Sequence, residues 1–335
     1  MPRLVIYILW SAFAALLTAC GPGKDEVRVE GEIGHVRHAE LYLYCADGTT
    51  EGIDTLRVEK GKFKGDISVI EPCLYTLLLQ NFTEYSIILE PGATVSISGD
   101  AQNLAGMDVA GTEENKLLTE FRMRTLGKSE ADVRRAAADF IRSHSGSLAA
   151  IAVLRDVFAR QQYPDPATVS SLLSVLKKAQ PKSRALRHVE QALRPKLVCP
   201  PGKPLPDFSA PTIAGGTVST SDFVGKPLVI ALVATWAQNF NEQLRLLHEA
   251  RRNGPEGLQI MLVSLDTDTI RLRQRLATDS LRAPVVCDGK SFASPTAQAI
   301  GAQYVSTSIL VGSDGRVKAR DIEPKRLPEE VKKLK

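Results

Sequence analysis

The sequence is short of the groups that carry most enzymatic chemistry. Its 335 residues include only five cysteines and five histidines. The histidines stand singly and the cysteines lack metal-ligand spacing, so no metal site is expected. A glycine-rich phosphate loop, a Gly-x-Ser-x-Gly elbow and a kinase-type motif set are all missing, and nothing calls for a cofactor. Charge of one sign is lacking too. The net charge is +4, and the basic residues of the C-terminus alternate with Glu329 and Glu330. A balance so small and so evenly spread gives no footprint for nucleic acid. After residue 18 no apolar run is long enough to span a bilayer.

What is present begins with one apolar run. Arg3 is followed by Leu4 to Thr18, rich in Leu, Val, Ile, Ala and aromatic residues, and the run closes on Leu17-Thr-Ala-Cys20. A basic start, an apolar core too short for a comfortable span and small residues at the end make a secretory signal. The last four residues resemble the lipobox of bacterial lipoproteins. That resemblance implies a signal peptide over 1–19, removal before Cys20, and acyl chains on Cys20 that hold the protein in a membrane, each buried CH₂ contributing about 0.8 kcal/mol. Gly21 to Glu26 then reads as a tether. Lys24-Asp25-Glu26 resembles the signal that sends some Bacteroidota lipoproteins to the outer face of the outer membrane. The expected location is the cell envelope, lipid-anchored at the outer membrane, with the periplasmic and surface faces both open.

Residues 27–110 read as short strands with turn signals. Val27–Ile33, Leu41–Cys45, two strands either side of the Lys60-Gly61 turn, Leu74–Leu79, Ser86–Leu89 and Thr94–Ser98 predict an antiparallel sandwich or barrel. The stretch resembles a small β-domain of unknown function found ahead of thioredoxin-like domains in Bacteroidota lipoproteins. Its marks are Val29-x-Gly31-x-Ile33, an Asp54-Thr55 … Gly61-Lys-Phe63 segment and Pro72-x-x-Tyr75-x-Leu77. Over 111–199 the periodicity turns helical. Val133, Ala136, Ala137, Phe140 and Ile141 form one stripe, and Val169, Leu172, Leu173 and Leu176 another, predicting a connector of three to five helices. Ser129 with Asp132 reads as an N-cap pair, Glu113 and Glu114 suit a helix start, and Arg194 to Pro201 reads as a linker.

Residues 200–335 predict an α/β domain. Pro227 to Ala234 has the composition of a strand buried on both faces, followed by a helix over about 239–253. Further strands at Leu258–Leu265 and Ser306–Val311 and a terminal helix at Leu327–Leu334 complete the alternation. Gly202-Lys-Pro-Leu-Pro-Asp-Phe208 and Gly215 to Lys226 resemble, in order, the entry segment and the hairpin of thioredoxin-like reductases and peroxiredoxins. The fold expected overall is thus α+β and α/β, with a thioredoxin-like C-terminal domain.

That resemblance makes one gap conspicuous. Where the family carries Trp-Cys-x-x-Cys, this chain reads Trp236-Ala-Gln-Asn-Phe240, so Ala237 and Phe240 occupy the two thiol positions. A thioredoxin nucleophile is a Cys whose thiolate is stabilised at a helix N-terminus, and the second Cys resolves the mixed disulfide. The family's cis-proline position is taken by Ser306. A cis bond before a non-proline residue costs about 2.5–4 kcal/mol, so a trans bond is expected there. The reading is a lipid-anchored binding or scaffold module that has lost redox catalysis, with no catalytic residue and an envelope protein or peptide as partner. The alternative is an envelope thiol-disulfide or peroxiredoxin-like enzyme working through Cys287, whose bland reading is a half-buried core thiol. With Cys20 set aside, four cysteines remain in an oxidising compartment. Three pairings are open. Cys45 with Cys73 is favoured because both lie on strand-like segments of the β-domain, and Cys199 with Cys287 remains open.

Overall fold

The computed structural model describes residues 22–45, 47–277 and 279–334. The expected signal segment and Cys20 lie outside the described residues. These residues divide into two compact units, one running to Gln161 and taking in Ala167–Gln191, the other made of Gln162–Pro166 and the chain from Ala192 onward.

In the first unit, β1 (Glu26–Gly34), β2 (His38–Cys45), β3 (Asp54–Glu59), β4 (Lys62–Ser68), β5 (Cys73–Leu78), β6 (Glu84–Leu89), β7 (Thr94–Asp100) and β8 (Asn103–Ala110) form one sheet. Their order is β6-β5-β2-β3-β4-β1-β7-β8. Neighbours are antiparallel except β1 and β7, which run parallel. Apolar side chains at alternate positions, such as Val27 and Val29 of β1 or Leu56 and Val58 of β3, join a single core, as the two-residue period of a strand requires. The glycine of the Val-x-Gly-x-Ile pattern has a steric reason: a Cβ on Gly31 would lie 1.9 Å from the Ile97 carbonyl oxygen.

The sheet comes close to closing on itself, and a helix completes it. Helix α1 (Glu113–Thr125) starts at Thr112, whose side chain accepts from the Asn115 N–H. One turn apart, Asn115 and Thr119 serve the two edge strands. Asn115 accepts from the Ile88 N–H at 2.9 Å and donates to the Ile88 carbonyl at 2.7 Å, on β6. Thr119 accepts from the Val109 N–H at 3.2 Å and donates to its carbonyl at 2.9 Å, on β8. Edge backbone groups that would otherwise be orphaned in the core are thereby paired.

Helices α2 (Glu130–Ser143), α3 (Leu148–Val153), α4 (Pro166–Ala179) and α5 (Arg184–Val198) follow, with a π-helical turn at Leu154–Ala159. Ser129 caps α2 through the Asp132 N–H. Glu114 accepts from the Ala149 N–H at 2.8 Å and from the Ser147 hydroxyl, so its carboxylate serves the start of α3. Along α4, Val169, Leu172, Leu173 and Leu176 are buried. The linker expected from Arg194 is shorter than the sequence suggested, because α5 continues through Pro195 to Val198. Proline falls in the last turn, where the ring leaves only one carbonyl of the preceding turn unpaired, and fully buried Leu193 anchors the helix just before it.

The second unit opens with a hairpin of β9 (Ser209–Pro211) and β10 (Thr217–Ser219). There follow β11 (Leu228–Val233), α6 (Phe240–Asn253), β12 (Gln259–Ser264), α7 (Thr269–Leu276), β13 (Val285–Val286), α8 (Pro295–Ala299), β14 (Thr307–Val311), β15 (Val317–Ile322) and α9 (Leu327–Glu330). The sheet order is β13-β12-β11-β14-β15, with β11, β12 and β13 parallel and β14 antiparallel to β11. This is the thioredoxin-like arrangement. Central β11 is buried throughout: Val229, Ala231 and Val233 pack with α6 and the terminal helix, and Leu228, Ile230 and Leu232 pack with Ala210, Val218 and Ile300 on the other face. The terminal helix is shorter than expected. It gives way at Val331 to a 3-10 turn, the tighter winding common at helix ends, while Leu327, Val331 and Leu334 all stay buried against the α6 side.

Candidate functional site

The apolar run of β11 ends at Ala234, and the chain then turns through Thr235 to Asn239 before α6 begins. A buried carboxylate fixes that turn. Asp266, just beyond β12, accepts from the Thr235 N–H at 3.1 and 3.0 Å through its two oxygens and from the Thr235 hydroxyl at 2.5 Å. The Ser264 hydroxyl donates to it at 2.7 Å. With Asp266 only 3% exposed, these donors replace the water that a buried charge forgoes. Sequence reading missed Asp266; the one signal was a carboxylate placed directly after an apolar strand. Gln243 was missed as well: it is buried in α6 and donates to the Leu232 carbonyl at 3.0 Å.

Ala237 is half-buried in the turn, and its N–H bonds back to the Ala234 carbonyl. Phe240, the first residue of α6, is 1% exposed and belongs to the core between α6 and the sheet. The Arg275 guanidinium lies 5.4 Å from its ring centroid, within cation–π reach. Between these two positions, Asn239 precedes the helix without capping it. Its side-chain oxygen instead accepts from the Ser306 hydroxyl at 2.7 Å, across 67 residues of sequence. Ser306 thus comes to the tip of α6. It is 7% exposed, has a left-handed backbone (φ 56°), and no cis peptide bond occurs among the described residues. Trp236 stands out at 53% exposure beside the turn.

Beside this tip lies a groove of about 630 Å³ lined by Gln162, Asn239, Glu242, the Tyr304–Thr307 segment, Asp321, Glu323, Pro324 and Lys325. Its lining contains hydroxyls, carboxylates, two amides and an ammonium, and no sulfur. Tyr163 borders it. Burial, and then the Asp321 charge, push the Tyr163 hydroxyl up to about 12, so it remains a proton donor: it donates to the Arg320 carbonyl at 3.0 Å and toward Asp321 at 3.4 Å.

The cysteines fall in three places. Cys45 and Cys73 are buried free thiols on adjacent strands β2 and β5, in side-chain contact with each other. That contact and burial hold the Cys73 proton well above the ordinary thiol range. Cys199 is buried in the second unit, where desolvation pushes its thiol up to about 11. Cys287, half-buried after β13, donates to the Asp266 carbonyl at 3.3 Å. Among the described residues no cluster of three metal-ligating side chains occurs, and no helix is long and apolar enough to cross a membrane.

With this geometry in hand, residues 201–320 match the AhpC/TSA family. The C-terminal domain is an AhpC/TSA-family domain. Residues 27–118 match a domain of unknown function, DUF4369, so the match takes in the β-sheet and the first six residues of α1. No curated protein matches the chain. Among solved structures it is similar to a thiol-disulfide oxidoreductase from Bacteroides fragilis NCTC 9343, at 27% identity over 40% of this chain and 100% of that one, TM-score 0.36. It is also similar to the thioredoxin domain of a thiol-disulfide oxidoreductase from Bacteroides vulgatus, at 20% identity over 40% and 98%, TM-score 0.36. A thiol:disulfide interchange protein of the thioredoxin family from Chlorobium tepidum TLS is similar at 19% identity over 40% and 96%, TM-score 0.34.

Proposed function

We propose that the AhpC/TSA-family domain is a binding module that has left disulfide exchange, held at the cell envelope by acyl chains on Cys20. One observation carries the reading: Phe240 stands in the core, and aliphatic Ala237 in the turn, where the exchange reaction needs two sulfurs facing a substrate. Electron transfer by thiol–disulfide exchange requires a thiolate attacking a sulfur through a mixed disulfide, and neither side chain supplies one. The groove beside the tip keeps hydroxyls, carboxylates and aromatic surface, which suit recognition of an envelope protein or peptide. The Leu17-Thr-Ala-Cys20 run supports the anchor, at the outer membrane with either face open.

The experiment is reduction of insulin and decomposition of peroxide by the purified full chain. Turnover no greater than that of a variant lacking every thiol is the expected result. Turnover that disappears with Cys287→Ser would overturn the reading in favour of an envelope thiol-disulfide or peroxiredoxin-like enzyme. That second reading draws on the position of Cys287 at the carboxyl end of β13, the end of the parallel strands from which the α6 turn also springs. Metabolic labelling with an alkyne palmitate, lost in Cys20→Ser, tests the anchor separately.

A further inference from the structure

The wall of the groove beside α6 includes a carboxylate, one oxygen of which the fold buries and leaves without a partner. Strands β14 and β15 pair Ser308 with Ile322 and Leu310 with Ala319, so Arg320 and Asp321 together face the single residue Ile309. At this bulge Asp321 adopts a left-handed backbone (φ 56°), and bulges of this kind re-aim a side chain. The Asp321 side chain is 8% exposed and lines the groove. Its Oδ2 accepts from Arg320 Nε at 3.1 Å and from the Tyr163 hydroxyl at 3.4 Å. Its Oδ1 is buried with no hydrogen-bond partner. Arg320 cannot turn to serve it, because Nη1 is bound to the Cys199 carbonyl at 3.0 Å and Nη2 to the Gly301 carbonyl at 2.6 Å.

We propose that this groove recognises an ammonium or guanidinium group, carried by a basic side chain of a partner polypeptide, with Asp321 Oδ1 as its acceptor. The inference deepens the binding reading above and names the chemistry of its ligand. A buried carboxylate oxygen left unpaired is costly, and a charged donor entering the groove removes that cost. The Asp321–Arg320 pair is internally neutral, so the remaining lining charges decide the sign: Glu242 and Glu323 against Lys325 leave a surplus of one negative charge. Tyr304, which lines the same groove and is 57% exposed, offers a ring face to the cation. A volume of about 630 Å³ is larger than a lone cationic head and suits a side chain with its flanking backbone, which favours a polypeptide over a free cation.

The test is fluorescence anisotropy of the full chain with a labelled alanine–glycine peptide carrying one Arg, and the same peptide with Lys, Gln or Glu in its place. Arg and Lys peptides should bind at least about tenfold more tightly than the Gln peptide, the range of a charge-assisted bond. Asp321→Asn should abolish that preference. Asparagine tolerates the left-handed backbone, and exposed Tyr304→Ala, expected to weaken the Arg peptide about threefold, gives a second readout that cannot unfold the core. Competition by free arginine and by putrescine separates the sources: displacement only by peptide supports a polypeptide partner, and displacement at equal concentration by the small cations overturns it. Equal binding of Arg and Gln peptides overturns the cation site itself. Insulin reduction measured on the same preparation reports on the non-redox reading independently, so the two failures are distinguishable.

Discussion

The Ser306 hydroxyl donates to the side-chain oxygen of Asn239 at 2.7 Å, tying the loop before β14 to the tip of α6. In the resembled redox family these are the positions of a proline and of one of the two residues between the thiols. Here they are joined by a hydrogen bond. It brings together the two walls beside which the groove opens, and it engages the one side chain placed to cap the helix.

Ser306→Ala and Asn239→Ala should each lower stability by about 1 kcal/mol, the net value of a typical side-chain hydrogen bond. The double variant should lose less than the sum, since both changes delete one shared bond. Urea unfolding of the four proteins gives the coupling, and strict additivity would show that the bond contributes nothing.

Phe240 is a core residue at a position where the resembled family keeps a reactive one. Phe240→Ala should destabilise the domain by about 3–5 kcal/mol, the cost of emptying a buried aromatic site. Ala237→Cys, in the half-buried turn, should cost under about 1 kcal/mol. Installing the two cysteines together therefore demands a stability loss that comes almost wholly from position 240, which thermal melts of the two single variants would reveal.

Asn115 satisfies both backbone groups of Ile88 from α1. Asn115→Ala leaves a buried N–H and a buried C=O without partners, at about 1–3 kcal/mol each. Hydrogen exchange should show the Ile88 amide losing protection before those of central strand β3. An unchanged Ile88 rate would mean that another group had taken over the edge.

Cys45 and Cys73 are neighbouring thiols on paired strands. Exported to an oxidising compartment, they should pair, and the closed loop should add about 3–4 kcal/mol on the loop-entropy estimate. Intact mass under non-reducing conditions should be lower by two hydrogens. Cys73→Ser should leave Cys45 open to alkylation in the unfolded chain. A reduced pair after air oxidation would contradict this.

Cys199 gives the alkaline limb. Its folded-state value of about 11 lies above the ordinary 9.0 because burial disfavours the thiolate. The folded state therefore binds the proton more tightly than the unfolded chain. Its contribution is fully present below the unfolded value and is lost as pH rises through the folded one. Between pH 8 and pH 10.5 the domain should lose about 2 kcal/mol from this group. Cys199→Ala should flatten that part of the curve in urea titrations, and an unchanged slope would assign the alkaline loss elsewhere.

Position along the chain made much of this protein legible. The apolar run of β11, the hairpin segment and the order of the strands to Ser306–Val311 placed an α/β domain, because an unbroken apolar run suits a strand buried on both faces. The same reading found Ala237, Phe240 and Ser306, since a missing sulfur or proline is visible in one dimension. Ser129 was readable as a cap because capping is local. Pairing between distant segments was not readable. Nothing in the sequence tells that Asn115 and Thr119 meet two opposite strand edges, that Asp266 grips Thr235, or that Ser306 finds Asn239. The unpartnered oxygen of Asp321 depends on a one-residue bulge in β15 and on Arg320 being occupied by two carbonyls. Local composition fixed which segments are strands and helices through burial and periodicity. Only the folded chain decided which polar groups are satisfied, because that is settled by what each meets after dozens of residues have been folded away between them.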